Sequence, residues 1–176
     1  MTGLILGPSG SGKSAYAEEL AVRLSTGILY YIATMIPYGE EGQSRVERHL
    51  KQRSSMGFIT VEQPYRLSEI NLAPDAAVLL EDASNLMSNA LFCGDGNGDV
   101  NSVFDDITAL CGSCRDTVIV SIDGLSAQPE YDEGTRAFIE SLNWLNARLA
   151  GFVDLVVMMR DGKPVIRKGS AYALDK

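Results

Sequence analysis

The segment that most constrains the fold is a glycine-rich run near the start of the chain, formed by Gly7, Pro8, Ser9, Gly10, Ser11, Gly12, Lys13 and Ser14. It matches the pattern G-x-x-x-x-G-K-[ST] and separates an apolar stretch at 4–6 from an amphipathic one at 13–24. The glycines let backbone N–H groups turn inward around phosphate oxygens, and the following helix adds its positive N-terminal end. In such a loop the lysine reaches the β- and γ-phosphates, and the final serine can bind Mg²⁺. The sequence therefore predicts a phosphate-binding loop between a strand and a helix.

Short apolar, β-branched runs alternate with helical patterns along the rest of the chain. The predicted strands are 4–6, 28–33, 58–61, 77–81, 118–121, 153–159 and 165–166. The predicted helices are 13–24, 43–53, 86–92, 103–110 and 135–150. Several strand runs are continuously apolar, which is typical of parallel strands buried on both faces. The alternation predicts an α/β fold with a mostly parallel sheet and helices on both faces, in a single domain spanning 1–176.

Composition limits the partners and the compartment that we expect. The formal net charge is −8, whereas nucleic-acid binders usually present a basic surface, so nucleic acid is not an expected partner. No window reaches the roughly 18 apolar residues of a membrane span, and no secretory signal pattern is present. We therefore expect a cytoplasmic protein. Cys111 and Cys114 have C-x-x-C spacing but too few companion ligands for zinc, so we interpret them as two thiols in a turn.

An acidic pair follows one of the apolar strands. Glu81 and Asp82 come directly after the run 77–80. A P-loop enzyme normally has a carboxylate at the end of a nearby strand, where it helps to hold Mg²⁺. Either residue could serve in this way. The alternative is a strand end whose acids are simply solvated.

The only histidine of the chain lies in a polar, basic segment. On a helix, Arg45, His49 and Arg53 share one face, because residues four apart are neighbours there. Flanking guanidinium groups disfavour protonation of the imidazole, and a neutral imidazole is a nucleophile. The arginines could also bind nucleotide phosphates. The alternative interpretation is a solvated basic helix face with an incidental histidine.

Several segments taken together are similar to one family. They are GPSGSGKSAYAEEL at 7–20, LYYIATM at 29–35, SRVERHLKQR at 44–53, T-x-E at 60–62, VLLEDASNLMSNALF at 78–92 and EYDEGTRAFIESLNWLNARLA at 130–150. The chain resembles the bifunctional adenosylcobinamide kinase/adenosylcobinamide-phosphate guanylyltransferases of cobalamin biosynthesis. The P-loop is generic, whereas the R-[IV]-x-x-H segment between IAT and T-x-E is the specific part of the resemblance.

The resemblance implies a RecA-like P-loop domain and a two-step chemistry. A nucleoside triphosphate, ATP or GTP, phosphorylates adenosylcobinamide, and a histidine guanylylated by GTP then passes GMP to the product, giving adenosylcobinamide-GDP. The implied nucleophile is His49, and Lys13 is the implied catalytic cation of the P-loop. Besides Gly7–Ser14, the implied nucleotide contacts are Ala33, Thr34, Met35, Lys51, Arg53, Glu62 and Glu81. Ser14 and Glu81 would hold Mg²⁺, and a homotrimer is also implied.

One departure from the family pattern follows the predicted strand 118–121. The family usually reads T/S-N-E-V-G/F there, whereas this chain has Ser121, Ile122, Asp123, Gly124 and Leu125. Ligands bind at the carboxyl ends of strands in open α/β sheets, so the departure concerns substrate handling. Two other functions stay open at this point: a kinase that lacks the transferase step, and a degenerate nucleotide-binding regulator.

Overall fold

Seven strands alternate with four α-helices in the computed structural model, which describes residues 1–37, 56–93 and 98–170. The strands are β1 (Thr2–Gly7), β2 (Leu29–Ala33), β3 (Ile59–Glu62), β4 (Ala77–Glu81), β5 (Asp116–Ile122), β6 (Leu155–Arg160) and β7 (Lys163–Lys168). The helices are α1 (Lys13–Leu24), α2 (Ala83–Phe92), α3 (Val100–Ser113) and α4 (Glu133–Phe152), with a short 3₁₀ helix at Leu67–Glu69. The predicted helix 43–53 lies outside the described residues.

All seven strands belong to one sheet, in the order β3-β2-β4-β5-β1-β6-β7. Every neighbouring pair is parallel except β6 and β7, which are antiparallel. The carboxyl ends of β1 to β6 therefore meet at one edge of the sheet. In an open sheet of this kind ligands bind at that edge, so the fold places the residues that directly follow β1, β2, β3 and β4 where a site is expected.

The core has two layers, one on each face of the sheet. Alternate residues of β1 show the division: Leu4 packs in the layer covered by α2, α3 and α4, whereas Ile5 packs in the layer covered by α1. Both side chains are fully buried. This two-sided burial explains the continuous apolar runs and confirms the predicted mostly parallel α/β sheet with helices on both faces. Among the described helices, none is both long enough and apolar enough to cross a bilayer.

Three helices begin earlier than the apolar periodicity predicts, because each starts at an aspartate cap outside the apolar stripe. Asp82 accepts a hydrogen bond from the Asn85 N–H at 2.6 Å and begins α2. Asp99 caps α3 and Asp132 caps α4 in the same way. Aspartate at this position satisfies helix N–H groups that have no intrahelical partner. The cap of α2 bears on the site, because it uses the carboxylate of Asp82, one of the two acids predicted to help hold Mg²⁺.

Candidate active site

The phosphate-binding loop joins β1 to α1, and its glycines meet specific backbone demands. Gly10 and Gly12 have φ values of 74° and 82°, in the left-handed region that side chains disfavour. A Cβ atom on Gly7 would lie 2.6 Å from the Ser11 Oγ and 3.0 Å from the Met159 carbonyl oxygen. The loop thus has the tight, glycine-dependent course that lets backbone N–H groups face a phosphate.

The Lys13 side chain lies against its own loop. Only 8% of the residue is exposed, and its Nζ donates a hydrogen bond to the Pro8 carbonyl oxygen at 3.3 Å. This contact holds the ammonium group over the loop rather than in solvent. The arrangement supplies one localised positive charge, at the position where the triphosphate of a nucleotide would bind.

Ser14, in the first turn of α1, meets the acid at the end of β4. The Ser14 hydroxyl donates to Glu81 Oε1 at 2.6 Å. The other carboxylate oxygen, Glu81 Oε2, is buried and has no hydrogen-bond partner among the described residues. A buried oxygen without a partner is costly unless a ligand completes it. Of the two acids that the sequence offers, Glu81 is therefore the one that contacts the P-loop serine.

The electrostatics of Glu81 follow from this position. Burial raises the pKa of Glu81 to about 8, and the neighbouring Asp82 acts in the same direction. The hydrogen bond from Ser14 and the charge of Lys13 oppose the rise. A hydroxyl and a carboxylate with a free oxygen are hard donors of the kind that Mg²⁺ prefers, and a bound cation would favour the ionised carboxylate. The residues present thus fit Mg²⁺.

Asp82 has a structural role instead. Its carboxylate caps α2 through the Asn85 N–H, its side chain is largely buried, and burial raises its pKa. The peptide bond between Glu81 and Asp82 is cis. Asp82 caps α2, whereas the neighbouring Glu81 contacts Ser14 at the expected ligand position.

Two further predicted contacts, Ala33 and Glu62, lie level with Glu81 at the same edge. Ala33 pairs with Glu62 on β3 and with Glu81 on β4, so these residues lie side by side at the carboxyl ends of their strands. Thr34 and Met35 follow directly, but Thr34 is completely buried. Its hydroxyl hydrogen-bonds the backbone of Asp82 rather than facing the open edge. His49, Lys51 and Arg53 lie outside the described residues and stay predictions.

Two buried asparagines, which no sequence pattern singles out as site residues, hydrogen-bond the backbone segments at this edge. Asn89 of α2 donates through Nδ2 to the carbonyl oxygens of Thr34 at 2.7 Å and Pro64 at 3.1 Å. Asn146 of α4 donates to the Ile122 carbonyl oxygen at 2.8 Å. Each asparagine lies on the otherwise apolar face of its helix. Because buried polar groups are normally hydrogen-bonded, an amide in such a position indicates a hydrogen-bond partner on another segment.

The backbone after β5 is held firmly despite the departure from the family pattern. The Ile122 N–H donates to Ser84 Oγ at 2.8 Å, and the next N–H, of Asp123, donates to the Gly7 carbonyl oxygen at 3.1 Å. Ser121 donates to Asn146 Oδ1 at 2.7 Å. These contacts connect the end of β5 to the start of the phosphate loop through groups that do not depend on the side chain of residue 122.

A parallel α/β sheet with a glycine-rich loop after its interior strand β1, and a carboxylate on the P-loop serine, defines the class of P-loop nucleotide-binding proteins. The crystal structure of the flagellar accessory protein FlaH from Methanocaldococcus jannaschii shares the fold. The TM-score is 0.53 at 12% identity, over 98% of this chain and 79% of that one. At that identity the likeness concerns the fold alone.

Within this class, the family model for cobinamide kinase / cobinamide phosphate guanyltransferase matches residues 3–166, and the chain belongs to that family. The bifunctional adenosylcobalamin biosynthesis protein CobP of Pseudomonas aeruginosa is 29% identical over 175 residues, covering 96% of this chain and 98% of the relative. The bifunctional adenosylcobalamin biosynthesis protein CobU of Salmonella typhimurium is 30% identical over 176 residues, covering 90% and 95%. These matches confirm the predicted family and identify a transferase.

Proposed function

We propose that this protein phosphorylates adenosylcobinamide with a nucleoside triphosphate and then converts the product to adenosylcobinamide-GDP with GTP. The observation that carries the proposal is the contact between Ser14 and Glu81 beside the phosphate loop, in a chain of this family. Its substrates are thus small molecules: adenosylcobinamide, ATP and GTP. The net charge of −8 supports the absence of a nucleic-acid partner.

In the first step the aminopropanol hydroxyl of adenosylcobinamide attacks the γ-phosphorus of the triphosphate. A new P–O bond forms, the bond to the β–γ bridging oxygen breaks, and the hydroxyl proton is released to solvent. The loop N–H groups and Lys13 would bind the phosphate oxygens on which negative charge develops. Ser14 and Glu81 would hold Mg²⁺, which neutralises phosphate charge when it is bound.

In the second step a nitrogen of the His49 ring attacks the α-phosphorus of GTP, and pyrophosphate leaves. The resulting phosphoramidate is then attacked by a phosphate oxygen of adenosylcobinamide phosphate, which takes GMP and frees the ring. Arg45 and Arg53 would keep the imidazole neutral and bind phosphate oxygens. Ala33, Glu62, Lys51 and Arg53 belong to the same proposed nucleotide site, on the strength of the family resemblance.

The proposal extends to the setting of the enzyme. We place it in the cytoplasm, as one domain per chain, assembled as a homotrimer. The segment 43–53 has few apolar residues with which to pack on its own domain, and a labile adduct needs protection from water. A neighbouring subunit would provide that cover. A monomer in sedimentation at working concentration, with full transferase activity, would contradict the assembly.

The test of the proposal uses GTP labelled at the α-phosphate, with no corrinoid present. Wild-type protein should retain label in an acid-labile, base-stable form, as expected of a phosphoramidate, and His49→Ala should retain none. The His49→Ala variant should still phosphorylate adenosylcobinamide with ATP, whereas Lys13→Ala should not. Equal labelling of the His49→Ala variant would overturn the nucleophile. An unlabelled wild type that binds GTP tightly would favour a kinase without the transferase step, or a regulator.

A further inference from the structure

We propose that Thr34 is a positioning residue, which holds Glu81 in the place where it binds Mg²⁺, and that its side chain does not contact nucleotide. The inference rests on the proposed function, because it concerns the same metal and nucleotide site. Thr34 follows β2 directly, and its relative exposure is 0%. A bound nucleotide therefore has no access to its hydroxyl.

Three hydrogen bonds join Thr34 to two consecutive residues at the end of β4. The Thr34 N–H donates to the Glu81 carbonyl oxygen at 3.1 Å. The Thr34 hydroxyl donates to the Asp82 carbonyl oxygen at 2.8 Å and accepts from the Asp82 N–H at 2.8 Å. One short side chain thus satisfies both backbone polar groups of Asp82, at a separation of 48 residues in sequence.

The carbonyl oxygen of Thr34 completes a ring of hydrogen bonds that runs through α2. Asp82 caps α2, and α2 carries Asn89, which donates back to the Thr34 carbonyl oxygen at 2.7 Å. The strand ends of β2 and β4 and the start of α2 are consequently fixed relative to one another. A β-branched threonine suits this position, because its χ1 is restricted and the hydroxyl stays directed at Asp82.

The ring sets the position of the Glu81 carboxylate. Glu81 is held on one side by the Thr34 backbone and reaches Ser14 on the other, with 2.6 Å between Ser14 Oγ and Glu81 Oε1. Mg²⁺ requires oxygen ligands at about 2.0–2.1 Å in near-octahedral geometry. Site residues must be held within about 0.5 Å for such demands to be met. Loss of the Thr34 hydroxyl should therefore lower the affinity for Mg²⁺ more than it lowers the affinity for the nucleotide itself.

The test compares Thr34→Val, which has nearly the same shape but no hydroxyl, with Thr34→Ser, which keeps the hydroxyl. Thr117→Val is the matched control, because Thr117 is also completely buried. It lies near the amino end of β5, away from the site, and its hydroxyl contacts the Cys114 Sγ at 3.2 Å. ATP binding is measured by titration calorimetry over a series of Mg²⁺ concentrations and in EDTA. No corrinoid and no turnover are needed.

For Thr34→Val we expect the Mg²⁺ concentration that gives half of the metal-dependent gain in ATP affinity to rise about tenfold, because the Asp82 backbone that follows Glu81 loses its hydrogen bonds; this is the lower end of the range of about 10–100-fold found when groups that orient a metal ligand are removed. Thr34→Ser and Thr117→Val should stay within about twofold of wild type, and ATP affinity in EDTA should be unchanged in all three. If Thr34→Val does not fold, Thr34→Cys, whose thiol is a weaker donor and acceptor, should give a smaller shift in the same direction.

Two results would overturn the inference. One is an unchanged Mg²⁺ dependence in Thr34→Val, or in Thr34→Cys where the valine variant does not fold. The other is an equal shift in Thr117→Val, which would indicate a general effect of removing a buried hydroxyl. Failure of the proposed function is read separately, from the corrinoid product: a wild-type protein that leaves adenosylcobinamide unmodified, while its Mg²⁺-dependent ATP binding is shifted by Thr34→Val, would contradict the proposed function and leave the inference standing.

Discussion

Replacing Glu81 by glutamine should change how the stability of the protein depends on pH. In the folded, metal-free protein, burial raises the pKa of Glu81 from its ordinary 4.5 to about 8. In the unfolded chain the carboxyl titrates at its ordinary value. Between these two pH values the folded state holds a proton that the unfolded state has released. The stabilising contribution of Glu81 is therefore fully present below pH 4.5 and is lost as the pH rises towards 8.

The size of the effect follows from the shift. Each pKa unit corresponds to about 1.4 kcal/mol, so the wild-type protein should lose about 2–3 kcal/mol of unfolding free energy through Glu81 between pH 5 and pH 7. Glu81→Gln cannot titrate and should not lose it. The new amide also changes hydrogen bonding near Ser14, but that cost does not vary with pH.

The assay is urea unfolding followed by circular dichroism, in EDTA and without nucleotide, at pH 5, 6 and 7. The free energy of unfolding of Glu81→Gln minus that of wild type should increase by about 2–3 kcal/mol across the series. Similar dependence on urea in both proteins would show that the same surface is exposed on unfolding. A difference that stays constant with pH would show that burial does not hold Glu81 protonated.

Two further predictions concern the phosphate loop and the cysteine thiols. Gly7→Ala should weaken ATP binding measured by calorimetry, because its Cβ would lie 2.6 Å from the Ser11 Oγ and 3.0 Å from the Met159 carbonyl oxygen. Gly27→Ala, whose Cβ meets no atom within 4 Å, should bind like wild type. Equal binding by both variants would contradict the tight course of the loop. Burial raises the pKa of Cys111 to about 12, so iodoacetamide at pH 8 should modify the half-buried Cys93 well before Cys111, as read by peptide mass spectrometry. Faster modification of Cys111 would contradict its burial.

The fold was largely predictable because local and global signals agree. The bounds of α1 and β4 match the prediction, since the P-loop pattern places the first and a continuous apolar run ending in an acid marks the second. The apolar periodicity places the start of a helix too late where an aspartate cap precedes the apolar stripe, as at Asp82 and Asp99. Periodicity detects the buried face of a helix but not the polar residue that begins it.

The sequence predicts which residues belong to the site, but not which of the two acids contacts the P-loop serine and which caps a helix. The sequence offered Glu81 and Asp82 equally, and the choice depends on which carboxylate caps α2 and which meets Ser14. The contact between Thr34 and Asp82 and the bonds from Asn89 join segments that are far apart in sequence. No local pattern encodes such pairings, because they arise only when the sheet brings the strand ends together.

Product analysis can follow both proposed steps in a single experiment. The protein is incubated with adenosylcobinamide, Mg²⁺ and ATP, with and without GTP, and the corrinoid products are identified by mass spectrometry. A variant with Lys13→Ala, which lacks the cation of the loop, serves as the control. We expect adenosylcobinamide phosphate with ATP alone, adenosylcobinamide-GDP when GTP is added, and neither product from the variant. Unmodified adenosylcobinamide after incubation with a wild-type protein that binds both nucleotides would contradict the proposed function.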